Sequence, residues 1–150
     1  MINLHVHTNF SLLQGTIKID DLINICVKKN IESIAVTDTN AMNGLIQFAK
    51  KAVEANIKPI FGTYIDDPMN SKLYLILLAK NYEGYSDICR IITQRKLNNN
   101  FSLAQIIKLF WGNLILISPS IDIIKETNRK NSFYAEIIPT SSNKKNALKT

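Results

Sequence analysis

Along this chain, apolar and polar positions change period in a way that separates strands from helices. Asn3 to His7 is a short apolar run followed by a polar loop through Gly15, and it predicts a first strand. Ile19, Leu22, Ile23, Cys26 and Val27 then recur at helical spacing, with Asp20 placed to cap the helix they define. Ser33 to Thr37 predicts a buried strand that ends at Asp38-Thr39-Asn40, a turn and helix-start signal. A second helix carries Met42, Leu45, Ile46, Ala49, Ala52 and Val53 on one face. Lys58 to Tyr64 predicts a third strand, with Pro59 at its beginning where a missing N–H is tolerated.

The alternation continues more loosely. Asp66 to Asn70 predicts a turn, Leu73 to Ala79 a strand, and Tyr82 to Gln94 a helix presenting Tyr85, Ile88, Cys89 and Ile92. After the Asn98-Asn99-Asn100 loop, Ser102 is placed to cap a short helix with Leu103, Ile106, Ile107 and Phe110 inward. Leu114 to Ser118 predicts a strand, Ser120 to Thr127 a short helical turn, Phe133 to Ile138 a sixth strand, and Ser141 onward the start of another helix. Strands joined by helix-length crossovers imply a parallel sheet with right-handed connections. The expected fold is therefore α/β, with about six parallel strands of a barrel incomplete at the C-terminus. A full eightfold barrel needs about 250 residues, and this chain has 150. No repeat or linker divides residues 1–150, which are expected to form one domain or the front portion of one.

Composition narrows the class. The hydrophobic share of 46% is globular, and 18 Lys+Arg against 12 Asp+Glu give a net charge of +6. Lysine dominates that excess and is scattered, which describes a solvated surface better than a nucleic-acid groove. Tyr82, Tyr85, Phe110 and Trp111 fall at helical spacing and are expected to pack rather than stack on bases. Cys26 and Cys89 lie on apolar helical faces with no CxxC motif, so a reduced, cytoplasmic setting is expected. No window approaches the roughly 18 apolar residues of a membrane span.

The candidate chemistry starts at His5-Val6-His7, which contains the only two histidines of the chain. On an extended backbone residues i and i+2 face the same way, so both imidazoles can address one point, a geometry that suits a metal. In parallel α/β folds functional groups collect at the carboxyl ends of strands, which adds Asp38, Tyr64 and, from the first loop, Ser11 and Gln14. Asp38 is equally suited to a turn or a helix cap, and Glu136 in its apolar run reads as a lone surface carboxylate. There is no Gly-x-Ser-x-Gly elbow, no Gly-x-x-x-x-Gly-Lys loop, and no further histidine to serve as a base.

His5 through Gly15 (His-Val-His-Thr-Asn-Phe-Ser-Leu-Leu-Gln-Gly), with Ile17-Lys18-Ile19-Asp20, Ala35-Val36-Thr37-Asp38 and Lys58-Pro59-Ile60-Phe61-Gly62, resembles the polymerase and histidinol phosphatase (PHP) domain. Leu77 through Tyr85 and Tyr134-Ala135-Glu136-Ile137 extend the likeness over nearly the whole chain. More narrowly, it looks like the N-terminal PHP domain of bacterial DNA polymerase III alpha subunits, replicative and error-prone types together. The resemblance implies a (βα)7 barrel related to TIM barrels, with metals held by histidines and carboxylates at the strand ends. His5 and His7 match the first two ligands, and Asp38 lies in the matching Thr-Asp pair. Gln14 stands where an Asp ligand is usual, Thr39 where a His is usual, and Tyr64 where a Glu is usual.

A neutral amide, a hydroxyl and a phenol neither cancel the charge of a divalent cation nor match its usual donors. The resemblance so amended implies a degenerate metal site with no resident cofactor, leaving room for one weakly bound zinc or manganese ion at His5 and His7. The function it implies is a structural and interaction module of a DNA polymerase in DNA replication or error-prone synthesis, cytoplasmic and free of any membrane. Its partners would be the remainder of the polymerase alpha subunit or other replication proteins, with DNA engaged indirectly. Polymerase domains are expected to be absent from these residues, so this chain alone is expected to be inactive. The rival is a free-standing metal-dependent PHP phosphoesterase whose site has been rebuilt with unusual ligands.

Overall fold

A computed structural model describes residues 2–109, 112–126 and 132–137. Helix α1 (Ile19–Lys28) is followed by β1 (Ser33–Val36), α2 (Leu45–Glu54), β2 (Lys58–Asp67) and β3 (Asn70–Ala79). Then come α3 (Tyr82–Leu97), α4 (Leu103–Leu109), β4 (Leu114–Ser118), α5 (Ile121–Glu126) and β5 (Phe133–Ala135). The strands form one five-stranded sheet in the order β1-β2-β3-β4-β5.

That sheet is mixed, which corrects the expectation of about six parallel strands. β1 and β2 are parallel, as are β4 and β5, but β3 runs antiparallel to both of its neighbours. The reason is the loop at Pro68-Met69: two residues can reverse a chain into a hairpin but cannot carry it back for a parallel pairing. The first predicted strand is not a regular one. Residues 2–8 nevertheless run beside β1, where Asn3 O accepts from Ala35 N (3.0 Å) and Val6 O from Thr37 N (2.8 Å). Ile138, the helix expected from Ser141, and Phe110 and Trp111 lie outside the described residues.

Alternation along the strands sorts the two faces of the sheet. Leu75 and Leu77 on β3, Ile65 on β2 and Leu114 and Leu116 on β4 face the helices, where they pack with Ile88 and Ile91 of α3 and Ile106 and Ile107 of α4. Each such fully buried side chain contributes on the order of 1.5–3 kcal/mol of transfer free energy. Ile76, Leu78 and Ile117 face the other way, with Tyr64 and Tyr74 beside them, and line the concave side that carries the site.

Helices α1 and α2 cover the β1 end through Ile19, Leu22, Ile23, Cys26, Leu45, Phe48 and Ala52. The stripe expected on α2 is rotated: Phe48 is inward, while Ile46 and Val53 are exposed. Both helices end alike, with Asn30 and Asn56 at positive φ (52° and 57°). Ile31 N and Ile57 N reach back to Cys26 O and Ala52 O, closing the orphan carbonyls of each last turn. The predicted caps differ from the observed ones. Asp20 lies inside the first turn of α1 and pairs with Lys51, and Asp67 rather than the Ser102 side chain receives the first N–H of α4, from Leu103. On α3, Cys89 is exposed and Ile91 takes the buried place expected of it. Tyr82 is exposed too, against the packing expected of it, whereas Tyr85 packs edge-on against Phe61.

Candidate functional site: a histidine pair joined to Glu136

The segment beside β1 brings His5 and His7 to the concave side of the sheet. Their Nε2 atoms are 2.9 Å apart and their rings meet edge to face, so the spacing does aim both imidazoles at one spot. The loop that follows is folded tightly around Thr8. A Cβ on Gly15 would lie 1.9 Å from the Thr8 carbonyl oxygen, so that approach admits only glycine.

Asp38, at the end of β1, is buried and braces this loop. Its Oδ1 accepts from Thr8 N and from Ser11 Oγ (both 2.6 Å), and its Oδ2 from Thr8 Oγ1 (2.8 Å). It reaches His7 only through Ser11, whose Oγ lies 3.1 Å from His7 Nδ1. The carboxylate caps no helix here, since α2 begins at Leu45 behind Gly44. Gln14 and Thr39 bond to each other, and Thr39 Oγ1 also lies 3.3 Å from His7 Nδ1. Tyr64 packs its ring against both imidazoles, with centroids 5.7 Å from His5 and 5.3 Å from His7.

Glu136 is the residue at this site that the sequence pattern does not flag. Far from being a lone surface carboxylate, it sits one residue past β5 with its Oε1 2.7 Å from His5 Nδ1 and its Oε2 receiving Tyr74 OH at 2.6 Å. Ending the last strand at Ala135 rather than Ile138 would have flagged it as a strand-end carboxylate. Tyr74, whose ring stacks on Tyr64 at 4.5 Å, gave no such signal.

Proton positions follow from counting donors. With Asp38 and Glu136 as acceptor-only carboxylates, Ser11 commits its single hydroxyl hydrogen to Asp38 and Thr39 commits its own to Gln14. His7 Nδ1 must then carry the hydrogen shared with Ser11, which leaves neutral His7 with Nε2 as an acceptor. His5 Nε2 supplies the donor on that side. Burial, and then the proximity of His5, push the His7 pKa down against the opposing pull of Asp38 and Glu136, consistent with a neutral His7. Burial and the bond to Glu136 raise the Tyr74 pKa, so its phenol stays a donor.

The same geometry bears on metal binding. A tetrahedral zinc at ~2.0–2.1 Å from each Nε2 would hold the nitrogens ~3.3 Å apart. The observed 2.9 Å is a hydrogen-bond distance, and a few tenths of an ångström of opening separate the two states. Glu136 bonds the far nitrogen of His5, the place of an outer-sphere carboxylate rather than a ligand. Among the described residues, no group of three or more His, Cys, Asp or Glu side chains is disposed to hold a metal ion. Gln14, Thr39 and Tyr64 add only neutral donors, so the residues present do not fit a multi-metal centre. No helix among the described residues is long and apolar enough to cross a membrane.

A DNA polymerase III subunit alpha from Staphylococcus aureus is 32% identical over 121 residues, which cover 79% of this chain and 11% of that protein. The Borreliella burgdorferi DNA polymerase III subunit alpha is 41% identical over 102 residues, 60% of this chain and 9% of that one. The chain thus spans about a tenth of the length of these relatives. Among solved structures, an amidohydrolase from Chromobacterium violaceum matches 63% of this chain and 34% of its own with a TM-score of 0.49 and 19% identity. The model of the PHP domain matches residues 3–137. The chain belongs to the PHP domain family.

Proposed function

We propose that these residues are the N-terminal PHP portion of a DNA polymerase III alpha-type polymerase, serving as a structural and docking module rather than as a phosphoesterase. The observation that carries this reading is the donor set around the histidine pair. Gln14 and Thr39 satisfy each other, Tyr64 is packed as a ring, and the one nearby carboxylate that touches an imidazole, Glu136, is engaged on its far side. Such a site has lost the charge that would hold two or more divalent ions, and what it retains is a degenerate site able to take one zinc or manganese weakly through His5 and His7. The similarity to polymerase III alpha subunits supports the larger context, in which the remainder of the subunit would be the partner and the compartment would be cytoplasmic.

Polymerisation needs acidic residues holding Mg²⁺ in a separate domain, so the contribution of this part is to hold and position. Incubating the purified chain with single-stranded DNA and manganese or zinc tests the reading. No 3′ exonuclease activity above a His5→Ala control is expected. Metal-dependent cleavage that His5→Ala abolishes would overturn it.

A further inference from the structure

We propose that His5, Glu136 and Tyr74 form a latch that closes the curled sheet, joining the first segment of the chain to the end of the last strand without a metal ion. Among the described residues the sheet has two edges, residues 2–7 beside β1 and the outer side of β5. They face each other across a cavity of about 680 Å³ to which Ile2 and Leu4 contribute from one edge and Tyr134 and Ile137 from the other. Strands in a closed barrel are joined by a backbone ladder, which removes the edges. Among the described residues no backbone hydrogen bond joins these two edges. The hydrogen bond that does so is the side-chain contact of His5 Nδ1 with Glu136 Oε1, 2.7 Å across 131 residues of sequence.

Both halves of the contact are anchored independently. Glu136 is held on β4 by its N–H to Ser118 O (2.9 Å) and on β3 by Tyr74 OH. His5 is adjacent to Val6, which exchanges bonds with Thr37, the residue after β1, through both its N–H and its carbonyl. The contact therefore ties the β1 side of the sheet to the β3–β4 side. The rings of His5, Tyr64 and Tyr74 pack together beneath it, with centroids 5.7, 4.5 and 6.1 Å apart in the pairs His5–Tyr64, Tyr64–Tyr74 and His5–Tyr74. In this arrangement the imidazole that would be a metal ligand is one half of a hydrogen-bonded pair, and the carboxylate that would orient it serves as the catch. The inference deepens the reading of the site as a scaffold and rests on it, but it predicts something that reading does not: closure of the sheet depends on this one contact.

Amide hydrogen exchange on the intact chain tests it, read at Thr37 N–H (bonded to Val6 O) and Glu136 N–H (bonded to Ser118 O). His5→Ala and Glu136→Ala are each expected to speed exchange at both amides by about tenfold, with the double variant adding nothing further, and with the same values in the presence of EDTA. Should an alanine variant fail to fold, Tyr74→Phe keeps the stacked ring, removes the bond to Glu136, and is expected to speed exchange about threefold. Unchanged exchange in the variants overturns the latch. So does a chelator that, added to the unaltered protein, opens the sheet as much as the substitutions do, because a metal would then be the closure. Failure of the scaffold reading shows separately, as metal-dependent cleavage with exchange still sensitive to Glu136.

Discussion

His5 Nδ1 lies 2.7 Å from Glu136 Oε1, so two residues 131 positions apart meet at the point where the two edges of the sheet come together. Neither side chain is more than about a third exposed, at 28% and 18%. Removing one partner strands the other, at a cost of about 1–3 kcal/mol. Each substitution is expected to cost more than the shared bond alone, because Glu136→Ala also leaves the Tyr74 hydroxyl without its acceptor and His5→Ala leaves His7 Nε2 without its partner. The double variant should cost less than the sum of the two. Urea unfolding of the set measures this coupling.

Asp38 supports the loop rather than the imidazoles. Asp38→Ala leaves a buried N–H and two buried hydroxyls without their acceptor, and is expected to destabilise the protein by about 3 kcal/mol or more. Ser11→Ala removes one of those bonds and is expected to cost about 1 kcal/mol. Thermal or urea midpoints that leave Asp38→Ala no worse than Ser11→Ala would contradict the brace.

Stability should fall in mild acid because of His7. Its folded-state pKa is depressed, first by burial and then by His5, so between that value and the ordinary 6.5 the unfolded chain binds a proton that the folded one resists. Stability linked to this group is thus fully present above pH 6.5 and declines as the pH drops toward the folded value. The decline should be blunted in His7→Gln. Nitrogen-15 NMR of the rings at neutral pH should show His7 protonated at Nδ1, with its Nε2 bare. A His7 carrying its hydrogen on Nε2 would break the proposed order of donors.

The two cysteines should differ sharply in reactivity. Cys26 is buried under α1, and burial also raises its thiol pKa, whereas Cys89 is exposed on α3. Iodoacetamide is expected to label Cys89 in the native state and Cys26 only on unfolding. Equal native-state labelling would mean that the contact between α1 and β1 opens readily.

What the chain reveals before folding is uneven for physical reasons. The helical stripes of α1 and the apolar runs of β1, β2 and β4 are local patterns, and they mark these elements correctly to within a few residues. The direction of β3 also follows locally, from a loop too short for a crossover, but only if Asp66–Asn70 is weighed as a connection and not merely as a turn. The rotated face of α2 shows the limit of periodicity, since Leu45 and Phe48 are buried beside apolar Ile46 and Val53 that are not. The site divides the same way. His5 and His7 converge because their spacing is local, whereas the meeting of His5 with Glu136 and Tyr74 depends on how far the whole sheet curls, which no short stretch of sequence encodes.

Whether the histidine pair has given up multi-metal chemistry is settled most directly by elemental analysis of the purified chain after loading with manganese and zinc and exhaustive dialysis. The neutral donors at Gln14, Thr39 and Tyr64 predict no more than one ion per chain, lost on dialysis against EDTA and absent from His5→Ala. Two or more tightly retained ions per chain would contradict the scaffold reading.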